Sequence, residues 1–241
     1  MESEDRSVFD LIQSAPTNSF NYGENADQVI DFYLPGKSNK PTIVLIHGGY
    51  WRPEYDRKHL APLAQKFTEL GWPVALIEYR RIIGKPDAAL GDVVSAIGEV
   101  RNLNKDLILV GHSAGGHLAL LAANKLDVLG VIALAPVTDL VKAEELDLDE
   151  GAVNDFLGGP ASLRVDLDPI RQPVLTVPTT LIHGVLDIRV PVAFSRDYVA
   201  KAASPSIKLI ELENVGHFEL IDPRQIIFDL IVEQLARMGL R

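Results

Sequence analysis

The chain has 241 residues, 47% of them hydrophobic and 23% charged, and it carries a formal net charge of −10 with a sequence pI of about 5.0. That is apolar material enough for one large core, so one folded unit over residues 1–241 is expected. The acidic balance, with no stripe of Lys and Arg, repels a phosphate backbone and argues against a nucleic-acid partner, and the absence of cysteine removes disulfides, thiolate nucleophiles and thiolate-built metal sites.

The start, Met-Glu-Ser-Glu-Asp-Arg, is charged and no sustained apolar run follows it. Neither a secretory signal nor a transmembrane span is expected, and the cytoplasm is the default address. Apolar runs of strand length then alternate with stretches of helical period, the pattern of an α/β fold. Strands are expected over residues 29–34, 42–46, 74–78, 107–110, 131–135, 180–183 and 207–212. Most are unbroken Val, Ile and Leu, so both faces of each strand should be covered, which describes a doubly wound, mostly parallel sheet with helices on both faces. Helices are expected over 57–70, 88–103, 114–125, 191–203 and 223–238. In the last, Ile226, Ile227, Leu230, Ile231 and Leu235 share one helical face.

The second expected strand ends in His47-Gly48-Gly49-Tyr50-Trp51. Glycines at a strand end let backbone approach a substrate oxygen and turn an amide toward it. Gly49 is the first candidate for an oxyanion donor and Tyr50 the second. His47 precedes the glycines and is better suited to bracing the loop than to acting as a base, while Tyr50 and Trp51 are candidate pocket wall.

The fourth expected strand runs into Gly111-His112-Ser113-Ala114-Gly115 and then a helix. A serine on a sharp strand-to-helix turn has strained backbone, and its neighbours two residues away must lack side chains. The turn lifts the hydroxyl off the sheet edge and aims the N-terminal amides of the helix at developing negative charge. Ser113 is therefore the candidate nucleophile, with the Ala114 N–H as the other oxyanion donor.

A serine hydroxyl needs an imidazole to take its proton and a carboxylate to fix that imidazole's tautomer, in the chain order Ser, acid, His. Asp187 lies just past the sixth expected strand and before a helix; Asp139, past the fifth, is the rival acid. His47, His59 and His112 precede Ser113, and His117 and His183 precede Asp187, so only His217, between the last strand and the final helix, satisfies the order. Phe218 and His112 join Trp51 as candidate substrate contacts.

The segment 140–178 has no strand-helix rhythm apart from a short helix near 153–157 and reads either as a small cap, inserted after the fifth expected strand, or as a surface excursion. Its acidic cluster, Glu144, Glu145, Asp147, Asp149 and Glu150, reads as a solvated face.

Taken together, these segments resemble the α/β-hydrolase superfamily of serine hydrolases. The loop His47-Gly48-Gly49-Tyr50-Trp51, joined with Gly111-His112-Ser113-Ala114-Gly115-Gly116-His117, is similar to the kynurenine formamidase (arylformamidase) group and its neighbouring small carboxylesterases. The resemblance implies hydrolysis of a small ester or N-formyl amide substrate, N-formylkynurenine among them, through an acyl-enzyme and without metal or cofactor. With a single strand visible before the oxyanion strand, a reduced sheet edge is expected. No membrane partner is expected, and a monomer and a homodimer are both compatible with the sequence. The competing reading is a non-catalytic binding protein that uses the same pocket, against which the complete Ser113, Asp187 and His217 set argues.

Overall fold

The computed structural model describes residues 4–239, so residues 1–3 of the charged start and residues 240–241 lie outside the described residues. The seven expected strands all form: β2 (Val29–Tyr33), β3 (Thr42–Ile46), β4 (Val74–Ile77), β5 (Leu107–His112), β6 (Gly130–Leu134), β7 (Thr179–Gly184) and β8 (Ile207–Leu212). They are preceded by β1 (Asn18–Asn21), whose Asn-Ser-Phe-Asn sequence is exposed throughout. Among the described residues the sheet therefore has eight strands, in the order β1-β2-β4-β3-β5-β6-β7-β8, in place of the reduced edge expected from the sequence. Strands β1 and β2 pair antiparallel and β2 joins β4 antiparallel, whereas all pairings from β4 to β8 are parallel.

Alternate residues along each central strand face opposite sides, and both sides are buried. On one side Ile43, Leu45, Ile108, Val110, Ile132 and Leu134 pack under α1 (Ala61–Glu69) and α7 (Ile227–Met238), through Leu63, Phe67, Phe228 and Ile231. On the other, Val44, Ile46, Leu109 and Ala133 pack under α2 (Pro86–Leu103), α3 (Ala114–Ala123) and α6 (Ala193–Ala202), through Val93, Ile97, Leu118 and Phe194. This is the doubly wound arrangement.

The segment 140–178 contains α4 (Leu140–Glu145), α5 (Ala152–Leu157) and three turns of 3₁₀ helix. Val153, Phe156, Leu157, Ala161, Leu167 and Leu175 are buried in the same core as α2 and α3. Asp139, the rival acid, caps α4: its Oδ1 accepts from the Lys142 N–H at 2.9 Å. Among the described residues no helix is long and apolar enough to cross a membrane.

Candidate active site

Parallel strands deliver their C-terminal loops to one sheet edge, and there the loops after β3, β5, β7 and β8 meet. Ser113, between β5 and α3, has φ 56° and ψ −120°, a left-handed backbone that costs energy for a residue with a side chain. Glycines make the turn feasible. A Cβ at position 115 would lie 2.2 Å from the Ile46 carbonyl oxygen, and one at position 111 would lie 2.3 Å from that of Gly115.

His217 and Asp187, 30 residues apart, are joined by a 2.6 Å hydrogen bond in which Nδ1 donates to Oδ2. The other oxygen of Asp187 accepts from the backbone N–H groups of Arg189 and Val190, at 2.8 Å each. Burial opposes the charge on Asp187, but the neighbouring His217, hydrogen bonds from His183 and His217 and the Val190 amide outweigh it and hold the carboxyl well below the usual carboxylate range. With Nδ1 committed as donor, Nε2 is the nitrogen left to accept a proton. His217 and Ser113 both line a cavity of about 450 Å³. Among the described residues no hydrogen bond joins Ser113 Oγ to His217; catalytic bonds of this kind commonly tighten only in the complex with substrate.

The loop after β3 lines the same cavity with Gly49 and Tyr50. Gly49, Tyr50 and Trp51 all have positive φ, at 112°, 50° and 57°. This left-handed run turns the chain sharply, and among the described residues the amides of Gly49, Tyr50 and Ala114 donate to no protein acceptor. A free amide is one requirement of an oxyanion donor. The Tyr50 hydroxyl donates to the Arg189 carbonyl at 2.8 Å, fixing the ring as cavity wall.

Trp51 does not line this cavity. The turn sends its ring the other way, where it stacks on Phe156 (4.4 Å between centroids) and meets the edge of His117, and it is 4% exposed. The substrate contact expected at Trp51 is thus core packing that ties the loop to α5. Phe218 and His112 do line the cavity. His112 donates from Nε2 to the His217 carbonyl at 3.1 Å, and burial, with His217 and His59 nearby, pushes its pKa far down and keeps it neutral.

His47 is fully buried, with one ring nitrogen 2.7 Å from the Gly48 carbonyl and the other 2.7 Å from Glu78 Oε1. It therefore braces the glycine loop, as its place before the glycines suggested. Glu78 in turn accepts from the Arg57 backbone N–H at 2.9 Å and is paired with Arg81. Burial opposes its charge, yet His47 and Arg81 hold its carboxyl well below the usual range.

Several cavity residues carried no sequence signal: Arg6, Phe9, Tyr55, His59, Asp149 and Arg189. Asp149 belongs to the acidic cluster read as solvated. It is instead paired with Arg52 at 3.2 Å and with Arg189 at 3.7 Å, and among the described residues it is the one member of segment 140–178 that reaches the cavity.

A family model described as BD-FAE matches residues 30–201. The chain belongs to the BD-FAE family. Kynurenine formamidase of Danio rerio is 35% identical over 122 residues, 47% of this chain and 39% of that protein. Esterase LipQ of Mycobacterium tuberculosis is 28% identical over 247 residues, 85% of this chain and 57% of that protein. This BD-FAE chain thus spans 39% and 57% of the length of these two relatives. Among solved structures, a truncated carbohydrate esterase from gut microbiota superposes with a TM-score of 0.80 over 100% of both chains at 17% identity. An acetyl ester-xyloside bifunctional hydrolase from Caldicellulosiruptor lactoaceticus gives 0.77 at 20% identity, covering 93% of this chain and 97% of its own. At such identities the likeness is one of fold, the α/β-hydrolase fold expected from the sequence.

Proposed function

We propose that this protein is a serine hydrolase that cleaves a small carboxylic ester or N-formyl amide through an acyl-enzyme. Ser113 Oγ attacks the carbonyl carbon as its proton passes to His217 Nε2, and the carbonyl oxygen becomes an oxyanion held by the amides of Ala114 and of Gly49 or Tyr50. Collapse breaks the C–O or C–N bond, and His217 returns the proton to the departing alcohol or amine. Water, deprotonated by the same His217, then attacks the acyl group and releases the acid, or formate from a formamide, regenerating Ser113.

The observation that carries this reading is the 2.6 Å His217–Asp187 hydrogen bond at the wall of the cavity that also receives the strained Ser113 turn. The cavity is walled by aromatic side chains, Phe9, Tyr50, Tyr55 and Phe218, with Ser113 and His217 among its polar groups, a lining that suits a small, partly apolar acyl donor. The formamidase and esterase relatives support the same pair of substrate classes.

A hydrolysis panel tests it: N-formylkynurenine against acetate, butyrate and octanoate esters of 4-nitrophenol, with Ser113→Ala as the blank. Turnover that vanishes in the blank is expected for a formamide, a short ester or both, with octanoate slowest. Turnover that survives Ser113→Ala would overturn the reading.

A further inference from the structure

The residues before β1 form one wall of the cavity. Three contacts hold them there: Glu4 pairs with Arg189 at 2.9 Å, the Ser7 hydroxyl accepts from Arg224 at 2.8 Å, and Val8 is 4% exposed against the core. Phe9 lies edge-on to Phe218, with ring centroids 4.9 Å apart. This placement brings the guanidinium of Arg6 over both rings, 5.3 Å from Phe9 and 5.4 Å from Phe218, whose own ring is 5.1 Å from that of His217.

The charges around the cavity separate Arg6 from the rest. Asp149 is held by Arg52 and Arg189, and Arg189 is shared between Asp149 and Glu4. Burial keeps His59 and His112 neutral. Among the described residues Arg6 has no ion-pair or hydrogen-bond partner for its side chain, although the protein as a whole carries a net charge of −10. A guanidinium laid on two aromatic faces, with no carboxylate partner among the described residues, is oriented without being neutralised there, and its fork of donors matches a planar carboxylate. A dianionic phosphate fits less well, because one guanidinium would balance half its charge and the Asp149 carboxylate, which lines the same cavity, would repel a dianion more strongly than a monoanion. Arg6 and Phe9 precede the matched residues 30–201, so the family match is silent about them.

We infer that Arg6 is a specificity-determining residue that receives a carboxylate carried by the substrate, so that this hydrolase acts on anionic esters or formamides. The inference rests on the cavity being the hydrolytic site proposed above.

Matched substrate pairs test it. In 3-acetoxybenzoate against 3-acetoxybenzamide the carboxylate is on the leaving group; in mono(4-nitrophenyl) glutarate against 4-nitrophenyl glutaramate it is on the acyl group. The wild-type protein is expected to favour the carboxylate member of at least one pair by roughly three- to tenfold in kcat/KM, the scale of a partly solvated charge contact. Arg6→Gln should bring that ratio close to one, and Arg6→Lys should restore part of it. Arg101→Gln removes the same charge near the C-terminal end of α2, at the opposite sheet edge, and should keep the wild-type ratio. Equal ratios in wild type and Arg6→Gln would overturn the inference. A second arm measures binding of 3-hydroxybenzoate and 3-hydroxybenzamide to Ser113→Ala by titration calorimetry. If no ester or formamide is turned over, the hydrolase reading fails, and an Arg6-dependent preference for the benzoate would still uphold the carboxylate site, whereas no preference would refute it.

Discussion

Replacing Asp187 with Asn tests the orienting role with little change of shape. In the native protein Oδ2 accepts from His217 Nδ1 at 2.6 Å, while Oδ1 accepts two backbone N–H groups. An amide has one acceptor oxygen, and the two backbone donors claim it, since turning the NH2 toward them would oppose donor to donor. The NH2 then faces His217, which must present an unprotonated Nδ1 and carry its proton on Nε2. That tautomer cannot take a proton from Ser113. The expected loss is about 10⁴ in kcat, close to 5.5 kcal/mol in the barrier, the size of the effect where the same orienting carboxylate is neutralised in other triads. Asp139→Asn is the control, because asparagine caps a helix about as well as aspartate and α4 should persist with kcat within about twofold of wild type. Steady-state kinetics on a short 4-nitrophenyl ester, with circular dichroism to check folding, gives both numbers. If Asp139→Asn is the inactive variant and Asp187→Asn keeps more than about a tenth of the wild-type kcat, the tautomer argument is wrong.

Two further predictions separate the histidines. His217→Gln should remove nearly all turnover, whereas His47→Gln, which retains a donor toward Glu78, should keep a measurable part; the reverse ranking would make His47 the base. Burial drives the pKa of His117 down to about 4, and its Nε2 donates to the Leu167 carbonyl at 2.7 Å. As pH falls below the ordinary histidine value of about 6.5, the unfolded chain takes up this proton while the folded protein refuses it until pH reaches about 4. Stability is therefore lost as pH falls through that window, by about 2 kcal/mol at pH 5 from this one residue. Urea unfolding at pH 7.5 and pH 5 should show a smaller acid loss in His117→Gln, and an equal loss in both proteins would contradict the assignment. His112 is shifted in the same direction, so some acid dependence should persist.

What was legible in the sequence follows from how each feature is encoded. Strands β3 to β6 each carry an unbroken apolar run because both faces are covered, and such runs stand out without any partner being known. Strand β1 is exposed and polar, held by pairing to β2 at the sheet edge, so no burial pattern marks it. Helix α4 is short and ends in the acidic cluster, and its cap, Asp139, looked like a rival acid because a cap and an orienting carboxylate both follow a strand. The convergence of Ser113, Asp187 and His217 at one cavity was legible because a strained turn and a fixed chain order constrain them. Trp51 was misplaced because successive residues in a left-handed turn point in different directions, and its contact, Phe156, is more than 100 residues away. Arg6, Phe9, Asp149 and Arg189 reach the cavity through pairings distant in sequence, such as Glu4 with Arg189, which leave no periodic trace.

Active-site labelling tests the central claim most directly. A fluorophosphonate requires an activated nucleophile beside an oxyanion site and leaves a stable adduct on the atom that attacks it. Intact-mass and peptide mass spectrometry of the treated protein should find one adduct, on the peptide containing Ser113, absent in Ser113→Ala and formed far more slowly in His217→Gln. A protein that takes up no label, or one labelled equally in Ser113→Ala, would contradict the account.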